Sequence, residues 1–146
     1  INDRIADTQE QIDSLNENIS NLDILTNDDF ASRGYEIYKL MPQVDAFIGD
    51  YSSASLQFLL VDKPNFFVVP DIEEYGKNRG FCFDNPEEYM AGPIIKTQEE
   101  LYKEFEKLKV GIDDYKDKRK KIRDKVFKYQ DGENTNRVLK LSNIEL

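Results

Sequence analysis

Two apolar runs separated by a helix-like stretch constrain the fold of this chain more than any other feature. Residues 44–50 read VDAFIGD and residues 64–70 read PNFFVVP, each short and closed by Asp or Pro, as expected of strands. The unbroken apolar run from Ala46 to Ile48 in the first is typical of a strand covered on both faces. Between them, SSASLQFLLVDK begins with Ser and has the length of a helix. Strands that alternate with helices predict an α/β fold with a parallel sheet, right-handed crossovers and flanking helices.

Three further stretches predict secondary structure around this unit. LDILTNDD, residues 22–29, predicts a strand that runs into a loop. SRGYEIYKLMPQ, residues 32–43, predicts a helix that ends near Pro42. Residues 71–96 contain three Gly and two Pro, so we expect a long irregular loop of the kind that often serves a function.

The last third of the chain predicts two helices. Thr97 and Glu100 have the spacing of a capping box, which opens a helix at TQEELYKEFEKLK, and Gly111 is expected to end it. A second helix is expected over IDDYKDKRKKIRDKVFKYQ, before Asp131 and Gly132 turn the chain. Its basic stretch KDKRKK is flanked by acids and is interpreted as a solvated face, with an anionic membrane surface as the alternative partner.

The first 22 residues have the periodicity of an amphipathic helix. Spacings of four and three place one stripe along its side, made of Ile1, Ile5, Thr8, Ile12, Leu15, Ile19 and Leu22. We predict that the helix over residues 1–22 either docks on the sheet or pairs two chains as a short coiled coil. Residues 23–146 are predicted to form one domain. A chain that begins at Ile1 without Met is expected to be part of a longer protein.

Composition narrows the classes of function. The net charge of −9 disfavours nucleic acid as a partner, because phosphates require a basic face. No apolar run approaches the roughly 20 residues that span a bilayer, so we expect a cytoplasmic protein. Cys82 is the only cysteine, which excludes an internal disulfide. The chain has no His, the commonest general base and a frequent metal ligand, and we predict neither a metal nor a cofactor.

Small polar residues gather where the strand predicted over residues 44–50 meets the helix that follows it. Asp50, Ser52 and Ser53 lie at the carboxyl end of that strand, where open parallel sheets bind ligands. If a serine caps the helix, the free amides of its first turn face the same place and suit a phosphate or pyrophosphate. The alternative is a plain cap, in which Ser52 serves only its own helix and Asp50 ends the strand.

Arg79 is the second candidate for phosphate binding. It stands beside Gly80 in the predicted loop, and its guanidinium can form two parallel hydrogen bonds with a phosphate. The alternative is an ion pair with Glu73 or Glu74. The residues alone leave both alternatives open.

Six short motifs, in this order, resemble the C-terminal part of the CDP-glycerol glycerophosphotransferase family. They are Asp50-Tyr51-Ser52-Ser53, Lys63-Pro64, Asp71 with Tyr75, Arg79-Gly80-Phe81, Gly92-Pro93-Ile94, and Asp131-Gly132 with Arg137-Val138. No single motif is diagnostic, but their order and spacing together make the resemblance specific. Members of this family polymerise or prime teichoic acids and related capsular polymers.

The resemblance implies a GT-B fold, in which two Rossmann-like domains face each other and the C-terminal one binds the nucleotide donor. Residues 23–146 would be part of that donor-binding domain. Ser52 and Ser53 would hold the donor pyrophosphate, Asp50 would shape the turn, and Arg79 with Gly80 would approach the phosphate or the glycerol. Secondary candidates for the donor site are Tyr51, Gln57 and Asp71.

Two departures from the family pattern qualify the implied activity. Gln57 stands near a position where the family has an acid, and an amide cannot accept a proton as a base. The family's His-containing motifs lie upstream of the matched part, so we expect this chain to be inactive by itself. A transferase using CDP-ribitol or a nucleotide sugar therefore stays open, as does a non-catalytic binding or assembly module.

The implied partners follow from the family. They are CDP-glycerol or a related nucleotide donor and a lipid-linked or polymeric polyol-phosphate acceptor. Family members act at the cytoplasmic face of the bacterial membrane, which implies peripheral membrane association. A dimer through residues 1–22 is the further assembly that the sequence allows.

Overall fold

The computed structural model describes residue 11, residues 13–14 and residues 21–144. The helix predicted over residues 1–22 therefore lies largely outside the described residues, and that helix and its boundary stay predictions. The chain divides into two compact units, Ile1–Leu40 and Met41–Leu146. No helix in the described ranges combines the length and the apolar character that a bilayer crossing requires.

Within residues 21–40, the continuously described part of the first unit, lie two short helices, α1 over Asn27–Ser32 and α2 over Ile37–Leu40. The strand predicted at LDILTNDD was wrong. Thr26 and Asp29 form a capping box, in which the Asp29 amide donates to Thr26 Oγ1 at 3.2 Å and the Thr26 amide donates to Asp29 Oδ2 at 2.8 Å. The apolar run itself, residues 22–25, forms neither a strand nor a helix, and this pair of bonds stabilises a helix start at the place where the sequence predicted a loop.

The second unit is built on a parallel sheet of three strands in the order β1-β2-β3, as predicted. The strands are β1 over Phe47–Gly49, β2 over Asn65–Val68 and β3 over Ile94–Ile95. In the pair of β1 and β2, Phe47 lies opposite Asn65 and Gly49 lies opposite Phe67. Contrary to the expectation of a strand covered on both faces, Ile48 in β1 is 47% exposed.

Helical segments flank the sheet. Helix α3 over Ala54–Phe58 continues as a 3-10 turn over Leu59–Val61, as expected between the first two strands. The other segments are 3-10 turns over Met41–Gln43 and Pro86–Tyr89, α4 over Ile72–Asn78, α5 over Gln98–Lys109, α6 over Lys116–Val126 and α7 over Asn134–Leu141. The capping box of Thr97 and Glu100 is confirmed, and Gly111 follows the end of α5 with φ +76°.

The long loop predicted over residues 71–96 was wrong, because α4 and β3 both lie within it. Gly76 inside α4 costs about 1 kcal/mol of helix stability relative to Ala. Packing offsets this cost, since Ile72 is buried in the core and the Tyr75 ring stacks on Tyr51 with 4.1 Å between centroids. Helix α7, beyond the confirmed turn at Gly132, was not predicted.

Two apolar clusters form the core of the second unit. The first contains Phe67, Val69, Ile72 and Met90, and the second contains Leu59, Ala91 and Ile122. The first cluster holds helix α4 against β2, and the second joins helix α6 to the turn that follows α3. These close-packed contacts fix the position of the sheet's carboxyl edge.

Helix α6 also carries a buried charge. Arg119 is only 1% exposed, and its guanidinium donates to Asp113 Oδ2 at 2.6 Å and to Asp62 Oδ1 at 3.1 Å. Arg123 approaches the same Asp62 carboxylate at 3.6 Å. The interpretation of KDKRKK as a wholly solvated face is therefore wrong at Arg119, because two acids outside the basic stretch provide its partners.

Strand β2 and the segment that leads into β3 approach closely at Gly92. A Cβ atom on Gly92 would lie 1.5 Å from the carbonyl oxygen of Asn65. Asn65 is itself 1% exposed, and its side-chain amide donates to the carbonyl of Ser55 at 3.0 Å. Only a residue without a side chain fits at position 92.

Candidate functional site

The Asp50–Ser53 turn follows directly after β1, at the carboxyl edge of the sheet. The Ser52 amide donates to Asp50 Oδ1 at 2.9 Å, which closes the turn. The Ala54 amide donates to Ser52 Oγ at 3.3 Å. Ser53 occupies the N-cap position of α3, but its hydroxyl makes no capping hydrogen bond. The Ser52 hydroxyl oxygen therefore accepts one hydrogen bond inside its own helix, as the cap interpretation expected, but both serines are exposed and both hydroxyls can donate to a ligand.

Tyr51 fixes this turn to helix α4. Its hydroxyl donates to Asp71 Oδ1 at 2.8 Å, and its ring lies 5.5 Å from the Phe81 ring, between centroids, in addition to its stack on Tyr75. Burial of the ring, together with the bond to Asp71, raises the pKa of the Tyr51 phenol well above its usual range. The hydroxyl therefore stays protonated and keeps donating to Asp71.

A cleft of about 230 Å³ opens beside the turn. One side is the Asp50–Ser53 turn and the other carries aromatic side chains. We call it the aromatic cleft and define it by its principal lining residues, Asp50, Tyr51, Ser52, Ser53, Phe81, Phe83 and Tyr89. Its polar groups are concentrated at the turn, so the cleft can hold a ligand that has both an anionic and an apolar part.

The far wall of the cleft is held by a second aromatic pair. The rings of Phe83 and Tyr89 stack with 3.8 Å between centroids and 14° between planes. Lys125 of α6 places its ammonium 4.5 Å from the Tyr89 centroid. Lys118, two turns earlier, donates to the backbone carbonyl of Glu87 at 3.2 Å. These basic groups were not predicted as site residues.

The structure brings together five of the eight residues predicted for the donor site. Asp50, Tyr51, Ser52, Ser53 and Gly80 line the aromatic cleft. Of the other three, Asp71 accepts the hydrogen bond from the Tyr51 hydroxyl, and Gln57 is half-buried in α3. Arg79 is exposed beside Gly80 and forms no ion pair with any residue of the described ranges, so the proposed pairing with Glu73 or Glu74 is not observed there.

Removing the Tyr51 hydroxyl should have a smaller effect than removing its ring. We expect Tyr51→Phe to cost about 1 kcal/mol of unfolding free energy, since one hydrogen bond to an exposed carboxylate is lost. Tyr51→Ala should cost about 3 kcal/mol, because the stacked ring is lost as well. Urea denaturation measures both, and Tyr38→Phe is the control because Tyr38 is 59% exposed. Equal costs for the two Tyr51 variants would contradict a structural role for the ring.

The chain belongs to the CDP-glycerol:poly(glycerophosphate) glycerophosphotransferase family, whose model matches residues 9–142. This confirms the family resemblance of the ordered motifs. A teichoic acid poly(glycerol phosphate) polymerase of Bacillus subtilis (strain 168) is 40% identical over 82 residues, covering 56% of this chain and 11% of that protein. The ribitol-phosphate polymerase TarK of Staphylococcus aureus is 32% identical over 108 residues, covering 72% of this chain and 20% of that protein.

The solved structure of a teichoic acid polymerase is also similar to this chain. A variant of the wall teichoic acid polymerase TagF, soaked with CDPG, matches with a TM-score of 0.63 and 28% identity, over 82% of this chain and 31% of that chain. The α/β fold of the second unit is thus part of a GT-B-like fold, as the resemblance implied. The chain spans between 11% and 31% of the length of these three relatives.

Proposed function

We propose that this chain supplies the donor-binding part of a transferase that moves glycerol phosphate from CDP-glycerol to a polyol-phosphate acceptor. The observation that carries the proposal is the serine turn beside the aromatic cleft, at the carboxyl edge of a parallel sheet, in a chain of this family. Ligands of open parallel sheets bind at this edge.

The reaction would be a substitution at the β-phosphorus of the donor. An acceptor hydroxyl oxygen attacks that phosphorus, a phosphodiester bond forms, and the bond to the bridging oxygen breaks so that CMP leaves. The hydroxyl proton passes to a general base, and this chain contains no His, the residue type that most often has that role. The chain's own contribution is to hold the pyrophosphate and to stabilise the charge that develops on its oxygens.

The serine turn supplies the groups for this task. The Ser53 hydroxyl is exposed, free of a capping bond and able to donate to a pyrophosphate oxygen. Asp50 holds the turn through the Ser52 amide, and Tyr51 with Asp71 anchors it to α4. We therefore assign Ser52 and Ser53 to direct donor contact and the other three residues to positioning.

Arg79 and Gly80 form the second part of the proposed donor site. Gly80 has φ +74°, a left-handed conformation that turns the chain at the end of α4 and brings it to the cleft. Arg79 is exposed immediately before it, so its guanidinium can fork onto a phosphate. Gln57, half-buried in α3, is a secondary candidate whose amide can hydrogen-bond a ligand but cannot act as a base.

A CDP-ribitol donor is the second candidate, and the relatives favour keeping it. A teichoic acid ribitol-phosphate primase of Bacillus spizizenii is 37% identical over 82 residues, so the chain is similar to enzymes named for either polyol. The serine turn would contact the pyrophosphate, which CDP-glycerol and CDP-ribitol share. We place the whole protein at the cytoplasmic face of the bacterial membrane, where lipid-linked acceptors are accessible.

Calorimetric titration of the chain with CDP-glycerol, CDP-ribitol, CMP and UDP tests the proposal. Ser52→Ala/Ser53→Ala should weaken binding of the cytidine diphosphate donors at least about tenfold, since hydrogen bonds to a charged group contribute roughly 1.5–3 kcal/mol. Ser142→Ala, an exposed serine after α7, is the matched control and should leave affinity unchanged. Donor binding that survives the double substitution would exclude the serine turn as the pyrophosphate site.

A further inference from the structure

Strand β2 begins with a polar side chain at a position where its neighbours in the strand are apolar. Asn65 is almost fully buried and is followed by the buried Phe66 and Phe67. Its backbone is fixed on two sides, because Asn65 lies opposite Phe47 in β1 and its carbonyl oxygen is closely approached by Gly92. A buried side chain on so constrained a backbone has one defined direction, and here that direction is toward helix α3.

Only one half of the Asn65 amide is paired. Within the described residues, the buried Asn65 Oδ1 accepts no hydrogen bond. A buried acceptor without a partner destabilises a fold, and an apolar residue of similar size would avoid that loss. The other half does make a contact, since Nδ2 donates to the carbonyl oxygen of Ser55 at 3.0 Å. Polar groups that a core retains against its own stability are concentrated at functional sites.

Ser55 connects Asn65 to the serine turn. It is buried in the first turn of α3, and its amide and its hydroxyl both donate to the Ser52 carbonyl oxygen, at 3.1 Å and 2.5 Å. Two donors on one oxygen fix the plane of the peptide that joins Ser52 to Ser53, because a peptide group is rigid. The contacts of Asn65 and Ser55 therefore connect the turn to the central strand of the sheet.

We propose that Asn65 and Ser55 are positioning residues for donor binding; this inference rests on the proposed function. Asn65 fixes Ser55, and Ser55 fixes the Ser52–Ser53 peptide, so both serine hydroxyls are in place before the pyrophosphate arrives. Ser55 lines the aromatic cleft, but its hydroxyl proton is directed to the Ser52 carbonyl, so it acts on the donor through the turn. Preorganised groups bind more tightly because less ordering remains to be completed on binding.

Calorimetric titration of the full chain with CDP-glycerol, combined with urea denaturation, tests this inference. Asn65→Leu replaces the amide by an apolar group of similar size. We expect it to weaken donor binding about fivefold, the effect of one lost hydrogen bond. The midpoint of urea denaturation should not fall, because the unpaired Oδ1 is removed together with the donor. A purely structural residue would lower the midpoint and the affinity together.

Ser55→Ala is the second and smaller substitution, and it should also weaken donor binding about fivefold. Ser32→Ala is its matched control, since the Ser32 hydroxyl in α1 likewise donates to a carbonyl three residues earlier, that of Asp29, at 3.0 Å. This control should leave the donor affinity unchanged. Because Asn65 acts through Ser55, Asn65→Leu/Ser55→Ala should weaken binding by less than the product of the two single effects.

Several outcomes would overturn the positioning role. They are a donor affinity that neither substitution changes, single effects that multiply in the double variant, an affinity loss that Ser32→Ala reproduces, and a urea midpoint that falls with the affinity in Asn65→Leu. If the unmodified chain does not bind CDP-glycerol, or if binding ignores Ser52→Ala/Ser53→Ala, the proposed function itself fails. If binding depends on these two serines but not on Asn65 and Ser55, only the positioning role fails.

Discussion

Gly92→Ala is expected to destabilise the chain by about 4 kcal/mol or more, or to prevent folding, because the added methyl has no space. Its Cβ would lie 1.5 Å from the carbonyl oxygen and 2.7 Å from the carbonyl carbon of Asn65, and both atoms belong to the backbone of the central strand. That strand is paired with β1 on one side and β3 on the other, so it cannot move away without breaking the sheet. Urea denaturation followed by far-UV circular dichroism measures the loss.

Gly111→Ala is the matched control for this substitution. Gly111 has φ +76°, and no atom lies within 4 Å of the position that a Cβ would take, so alanine there meets only backbone strain. We expect a cost of about 1 kcal/mol. A Gly92→Ala variant that is no less stable than Gly111→Ala would show that Gly92 does not approach β2 as described.

Arg119→Met should destabilise the chain by about 3 kcal/mol, the second largest effect that we expect. The substitution keeps much of the buried volume but removes the charge that pairs with Asp62 and Asp113. These carboxylates are 39% and 24% exposed, so water partly replaces the guanidinium, and the cost stays at the lower end for a broken buried pair. Lys120→Met, on the same helix, should change the free energy of unfolding by less than about 0.5 kcal/mol.

The pH dependence of the Arg119→Met effect provides an independent check. The hydrogen bonds from Arg119 lower the pKa of the Asp113 carboxyl from its ordinary value of 3.8. The stabilisation is therefore fully present above pH 3.8 and is lost as the pH falls through the lower value of the folded state. The stability difference between the two proteins should shrink in acid, and a difference that is constant with pH would contradict the ion pair.

The central strand–helix–strand unit could be predicted because its signals are local. Apolar runs closed by Pro or Asp predicted β1 and β2, and the capping box of Thr97 predicted the start of α5. The prediction failed at residues 71–96 because α4 depends on contacts with distant residues. The stack of Tyr75 on Tyr51 and the burial of Ile72 are not visible in the spacing of that segment.

In the candidate site, too, only the features with local sequence signals could be predicted. The Asp50–Ser53 turn could be predicted because its chain neighbours define it. The Phe83–Tyr89 stack and its contact with Lys125 could not, because Lys125 lies 36 positions beyond Tyr89 and sits in a helix that was interpreted as solvated. The only sequence signal was the density of aromatic residues in GFCFDNPEEY.

Residues 81–85, which form part of the wall of the aromatic cleft, are held by side-chain rings rather than by backbone hydrogen bonds. In the described chain, no backbone amide of residues 81–85 donates to a backbone carbonyl. Phe81 and Phe83 hold the segment through their rings, and an aromatic pair contributes only about 0.5–1.5 kcal/mol beyond its burial. The amide protons of residues 81–85 are thus expected to exchange with solvent far sooner than those of β2. A ligand bound in the cleft, rather than the sheet, then determines how long this wall stays in place.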